Sequence, residues 1–189
     1  MASFTAFLDA NVLYSMCITD LAIRVALADF CRVIWSDGVH NEWTVRLRQN
    51  QPHIIAEQIT RRRMAMDAAL NDCLITEYEH LIPSLTLPDA KDRHVLAAAI
   101  VGRADVIVTK NLKDFPDTEL AKFGIEAQHP DTFLNHQMGL DQPRFIACAK
   151  AARQMLKRPS MTPEEYIKSL DRAGLQLVAF ELARFQQFL

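Results

Sequence analysis

Three short apolar runs, Phe4 to Leu8, Arg32 to Trp35 and Val106 to Thr109, are separated by segments whose apolar residues recur at helical spacing. Buried strands joined through helices assemble as a parallel sheet with right-handed crossovers, which restricts the chain to the α/β class. Helices are expected over Leu13 to Phe30, Val39 to Leu47 and Pro52 to Leu70, the last with a stripe of Ile55, Ile59, Met66 and Leu70. The stretch Cys73 to Leu87 carries no clear period. Beyond Pro88 a helix is predicted from Asp92 to Gly102, a short one at Thr118 to Phe123, a short strand at Ile125 to Ala127, and a helix from Asp131.

The last fifty residues read as helices only. Pro143 to Leu156 carries Phe145, Ile146, Ala149 and Met155 along one side and is stopped by Arg158 and Pro159. Thr162-Pro163-Glu164-Glu165 combines an N-cap, a first-turn proline and a capping-box glutamate. Gly174 is placed to end that helix, and Leu175, Val178, Leu182, Phe185 and Leu189 stripe the final one. These apolar faces need a partner surface, and packing on the α/β body is expected. The division is therefore a domain over 1-140 and a helical extension over 141-189.

With 189 residues, half of them hydrophobic, the chain can bury one sizeable core. No apolar run reaches the roughly 18 residues of a membrane span, and no signal-type stretch opens the chain, so a cytoplasmic location without membrane contact is expected. Cys17, Cys31, Cys73 and Cys148 never form a CxxC pair, which favours buried thiols over a zinc site or disulfide framework. The net charge of -2 is uneven: residues 1–143 carry an excess of acids, residues 144–189 an excess of bases. Such asymmetry suits either a polyanionic substrate or a basic tail against an acidic body.

Four acids stand where the predicted sheet can gather them. Asp9 ends the first strand, Glu42 opens a helix, Asp92 heads the helical run Val95 to Ile100, and Asp114 follows the strand ending at Thr109. In open parallel sheets, ligands sit beyond the carboxyl ends of strands. Clustered carboxylates repel unless protons or a hard cation lie among them. An oxygen-only set suits Mg2+ or Mn2+ and disfavours zinc, and a cation so held can activate water for in-line attack at phosphorus. Asp9 competes with a plain helix-capping role, Glu42 with Glu57, and Asp114 with Asp117; Asp92 sits where a helix dipole favours any acid. Asp89 reads as a turn residue or as a contact to the cation through water.

Other chemistries lack their parts. His40-Asn41-Glu42 matches half a zinc deaminase signature, but no Pro-Cys-x-x-Cys follows. Five glycines form neither GxGxxG nor GxxxxGK. Asp9 lacks the second aspartate two residues on that a phosphohydrolase nucleophile keeps. His53, His80, His94, His129 and His136 show no metal-ligand spacing and are assigned core or surface roles.

The segments Phe7-Leu8-Asp9-Ala10-Asn11-Val12-Leu13, Asp89-Ala90-Lys91-Asp92-Arg93-His94-Val95-Leu96 and Ile107-Val108-Thr109-Lys110-Asn111-Leu112-Lys113-Asp114-Phe115-Pro116 resemble, in order and spacing, the successive motifs of PIN-domain ribonucleases. The likeness is strongest to the VapC-like toxins of toxin-antitoxin pairs and covers roughly residues 3 to 135. The C-terminal helices resemble an extension found in one branch of that group. The resemblance implies a three-layer α/β/α domain with a central parallel sheet. It implies Asp9, Glu42, Asp92 and Asp114 as the catalytic acids, with Mg2+ or Mn2+ held by Asp9, Asp92 and Asp114. It also implies RNA hydrolysis to 5′-phosphate and 3′-hydroxyl ends, a cognate antitoxin, and a possible homodimer. Asn11, Asp89, Thr109 and Asn111 are then expected to support the acids. For RNA phosphates, Arg46, Arg48, Lys110 and Lys113 are candidates at least as good as the run Arg61-Arg62-Arg63, whose members point in different directions on a helix. Trp35 and Trp43 are expected in the core. The rival reading is a catalytically idle scaffold that binds RNA or protein.

Overall fold

The computed structural model describes residues 4–156 and 160–189; the expected helix stop at Arg158 and Pro159 lies outside them. Two compact units form, one from Met1–Tyr14 with Cys31–His129, the other from Ser15–Phe30 with Pro130–Leu189.

The first unit is built on five parallel strands, β1 (Thr5–Leu8), β2 (Arg32–Ser36), β3 (Leu74–Ile75), β4 (Val106–Val108) and β5 (Glu126–Gln128), in the order β3-β2-β1-β4-β5. Phe7 sits between Ile34 and Ile107 in register, and all three are fully buried. Burying side chains of this size contributes on the order of 1.5–3 kcal/mol each. The edge strand β5 is polar and partly exposed, as an edge should be. Helices α1 (Ala10–Leu13), α3 (Asp37–Asn50), α4 (Ala56–Ala69), α5 (Arg93–Val101) and α6 (Asp117–Leu120) complete this unit. Helices α3 and α5 pack on β2, and α6 packs on β5. The expected α/β/α class with a central parallel sheet is what forms. Its order reverses direction between β1 and β4, the kind of switch point where open sheets bind ligands.

Two of the expected helices differ most in their bounds. The stretch Leu13 to Phe30 is broken: α1 ends before Tyr14, Ser15 is extended, and α2 (Met16–Leu27) starts afresh. Arg62 from α4 donates to the carbonyls of Leu13 and Tyr14, supplying the donors that a continuing helix would otherwise provide. The stripe assigned to Pro52 to Leu70 is also shorter. Helix α4 begins at Ala56, Ile55 is 58% exposed, and only Ile59 and Met66 are buried within it. The segment without a period resolves into β3 and a 3₁₀ turn, Glu79–Ser84.

The second unit is helical: α2, α7 (Pro130–Leu140), α8 (Gln142–Met155), α9 (Pro163–Arg172), α10 (Gln176–Ala183) and a closing 3₁₀ turn, Gln186–Phe188. Helix α2 presents Ile18, Leu21 and Val25, all fully buried, and packs against α7, α8 and α9. Phe145 and Ala149 of α8 are buried as expected, whereas Met155 is exposed. The capping box forms: Glu165 N donates to Thr162 Oγ1 at 3.2 Å and Thr162 N to Glu165 Oε2 at 2.8 Å. Gly174 ends α9 at φ 95°, a left-handed conformation that glycine adopts without strain. The final stripe keeps Leu175, Val178, Leu182 and Leu189 buried, although the α-helix itself stops at Ala183. Asp131 caps α10, its carboxylate accepting from Leu177 N at 2.8 Å and Val178 N at 3.0 Å. Cys31, Cys73 and Cys148 are buried thiols, Cys17 is half-buried, and all four are unbridged.

Candidate functional site

Beyond the carboxyl ends of β1 and β4 lies an open pocket of about 630 Å3. Asp9, Glu42, Asp89, Asp92 and Asp114 all line it, together with Asn11 and Asn111. Five acids from four separate stretches of chain thus face one space. Glu57 is instead exposed and paired with Arg61 on its own helix, and Asp117 lies in the first turn of α6, so neither rival belongs to this wall.

Asp9 is positioned by the end of β1. Its N–H continues the sheet ladder by donating to Val108 O at 3.1 Å, and its side chain accepts from Ala10 N at 2.6 Å at the opening of α1. The buried Thr109 is the hub beneath it. Thr109 Oγ1 donates to Asp9 Oδ2 at 2.7 Å while accepting from Asn11 Nδ2 at 2.9 Å and from Asn111 N at 3.0 Å. One donor and two lone pairs are therefore fully used. Asn11 also donates to Asp9 Oδ2, and its own Oδ1 accepts from Lys110 N at 2.9 Å, which fixes the amide's orientation. Asn111 Nδ2 donates to Asp114 Oδ2, and the buried Phe115 anchors that turn. Asp89 bends the chain before α5, accepting from Lys91 N at 2.9 Å.

The electrostatics report the same convergence. Burial is the largest influence on Asp92, followed by the charges of Asp9, Asp89, Asp114 and Glu42, and together they push its carboxyl up to about 6. Asp9 is also raised, first by burial and then by Glu42, against the lowering effect of the Thr109 and Ala10 hydrogen bonds. Both shifts express a carboxylate buried beside like charges.

Helix α3 carries Glu42, Val45, Arg46 and Gln49 into the pocket wall, residues spaced three and four apart and so on one face. Arg48 falls on another side of the same helix, and Lys110 and Lys113 do not line the pocket either, whereas Lys91 does. The Arg61-Arg62-Arg63 run is dispersed: Arg61 bonds Glu57, Arg62 caps α1 and lies 4.6 Å over the Trp43 ring, and Arg63 pairs with Asp37. Beneath α3, Trp43 Nε1 donates to His40 Nδ1 at 2.8 Å, His40 Nε2 lies 2.8 Å from Asp67 Oδ1, and Trp35 Nε1 donates to that same oxygen at 2.8 Å. Because Nδ1 accepts, the His40 proton sits on Nε2. Burial holds this imidazole below its usual range, hence neutral. Both tryptophans are core residues, as expected.

One contact went unread in the sequence. His94 Nε2 lies 2.7 Å from Glu42 Oε1, joining α5 to α3 beside the acids. A histidine in the first turn of a helix carries no signal of a partner 52 positions away; only its place two residues after Asp92 hinted at it.

A family model described as "PIN domain" matches residues 5–113, and one described as "VapC50 C-terminal domain" matches residues 130–184. The chain is similar to a curated protein of Mycobacterium tuberculosis called "Putative ribonuclease VapC50", with 43% identity over 89 residues. That match covers 47% of this chain, and the chain spans about half (53%) of the relative's length. No solved structure matches.

Proposed function

Given that the chain belongs to the PIN domain family, we propose that its acidic pocket is the active site of a divalent-metal-dependent ribonuclease that acts as the toxin of a toxin-antitoxin pair. The reading rests on one observation: four other carboxylates act on Asp92, and all five face a single pocket. The name of the relative in Mycobacterium tuberculosis and the match of the C-terminal helices to its family's extension support the same reading.

The donor set fits a hard cation, Mg2+ or Mn2+, because every candidate ligand is a carboxylate oxygen. Among the described residues no group of three His, Cys, Asp or Glu closes into a cage. Mg2+ keeps several of its waters, so some of these acids would reach it through water rather than directly. Asp9, Asp92 and Asp114 would hold the ion, with Asp89 reaching it through water. When bound, the ion would supply activation of water and neutralisation of charge on the phosphoryl group. The protein's own groups do the rest. Thr109 and Asn11 hold Asp9, Asn111 holds Asp114, and Glu42 is a catalytic carboxylate able to orient a water. Arg46 from within the pocket, and Arg48, Lys110 and Lys113 from outside it, are proposed to meet RNA phosphates. Attack by water at phosphorus breaks the P–O3′ bond, leaving a 3′-hydroxyl and a 5′-phosphate.

The proposed partners are an RNA substrate, an antitoxin protein and a second copy in a homodimer. No helix among the described residues is long and apolar enough to cross a membrane, and a cytoplasmic site of action is proposed. The test is incubation with structured and single-stranded RNAs plus Mn2+, with and without chelator, beside Asp9→Asn. Loss of cleavage with either chelator or the substitution is expected. A protein that takes up no Mn2+ and cuts none of these RNAs would favour the idle scaffold.

A further inference from the structure

His94 does not itself line the pocket but stands behind one of the acids that does, Glu42. Its imidazole is 16% exposed and its Nε2 lies 2.7 Å from Glu42 Oε1, while the Glu42 side chain is 45% exposed. The other ring nitrogen, Nδ1, is buried and has no hydrogen-bond partner among the described residues. A proton on Nδ1 would be a buried donor without an acceptor, so the neutral ring carries its proton on Nε2 and donates to Glu42.

The ring reaches Glu42 because Gly38, one turn earlier on the same face of α3, has no side chain. A methyl group at position 38 would sit 2.7 Å from His94 Nδ1, 3.2 Å from His94 Cε1 and 2.9 Å from the Tyr78 hydroxyl. The contact is a hydrogen bond from a neutral imidazole to a partly exposed carboxylate, in space that Gly38 leaves open. Its physical effect is to fix a half-exposed glutamate, which would otherwise sample several rotamers, and to occupy one of its oxygens, leaving the other for the pocket.

We propose that His94 is a positioning residue of the site: by donating from Nε2 to Glu42 Oε1 across the gap left by Gly38, it holds the Glu42 carboxylate toward the divalent cation and its water. This inference rests on the nuclease reading above. Three variants test it. His94→Ala removes the donor, His94→Gln keeps an N–H near the position of Nε2, and Gly38→Ala displaces the ring without altering either partner. Mn2+ affinity is read by calorimetry, RNA cleavage by kcat and KM separately, and folding by thermal melting.

The expected result is a roughly 10–100-fold loss of Mn2+ affinity in His94→Ala and Gly38→Ala, with kcat falling more than KM changes, and recovery of most of both in His94→Gln. In a Glu42→Gln background, His94→Ala should have little further effect. If wild type binds Mn2+ and cuts RNA but His94→Ala does the same, or if glutamine rescues no better than alanine, the positioning role is overturned and the nuclease reading stands. If wild type neither binds Mn2+ nor cuts RNA, the nuclease reading falls and takes this inference with it.

Discussion

At Thr109 a single hydroxyl serves three neighbours, so Thr109→Val, similar in shape, should leave the Asp9 carboxylate, the Asn11 amide and the Asn111 N–H each short of a bond. We expect a loss of about 1–3 kcal/mol in denaturant melts and a roughly 10–100-fold fall in Mn2+ affinity by calorimetry. Asp92 gives a pH prediction of definite sign. Its carboxyl lies at about 6 in the fold against 3.8 ordinarily, so the folded state binds the proton more readily. Its ionisation thus costs stability in full above pH 6, and the cost fades as pH falls toward 4. In chelator at pH 7, Asp92→Asn should be more stable than wild type by about 1–2 kcal/mol after solvent screening, an advantage that disappears near pH 4. Mn2+ uptake by wild type should weaken below pH 6 as protons compete. That Asp9 would face the pocket was legible because an acid directly after an apolar strand has few structural uses, and Asp114 because Asn111 and Phe115 flank it as in the motif it resembles. His94 was not, since its meaning depends on a contact across the fold. Arg46 and Arg48 could be separated only once the angular phase of α3 was known.

Helix α3 is held by a buried polar chain as well as by its apolar stripe of Val39, Trp43 and Leu47. Trp43, His40, Asp67 and Trp35 tie α3 to α4 and β2 through hydrogen bonds of 2.8 Å. Asp67→Ala would strand two buried donors, one from His40 and one from Trp35. It should cost about 2–4 kcal/mol and lower activity through the displaced Glu42, as thermal melting and RNA cleavage would record. Strand and helix types were readable from periodicity because the central strands are apolar throughout and most helices carry stripes. Boundaries were less so. The break at Ser15 depends on Arg62, 48 positions from the Tyr14 carbonyl it meets, and no local pattern could announce it. The two-residue strand β3 is too short to show a period at all.

At the scale of the molecule, the helical unit draws α2 from between β1 and β2 and surrounds its apolar face with C-terminal helices. Cutting the chain after Asn135 should uncover Ile18, Leu21 and Val25. We expect aggregation or self-association in size-exclusion chromatography; a soluble, equally stable monomer would contradict this. The apolar faces of the last fifty residues were legible in the sequence, and α2, which packs on α7, α8 and α9, reads there as part of the α/β layer because it lies between two strands. The chain passes between the units three times, near residues 14, 30 and 129. Interchange of parts among relatives is constrained accordingly. A hybrid that exchanged only its final third would inherit an α2 shaped for someone else's helices, so residues 15–30 and 130–189 must be inherited, or redesigned, together.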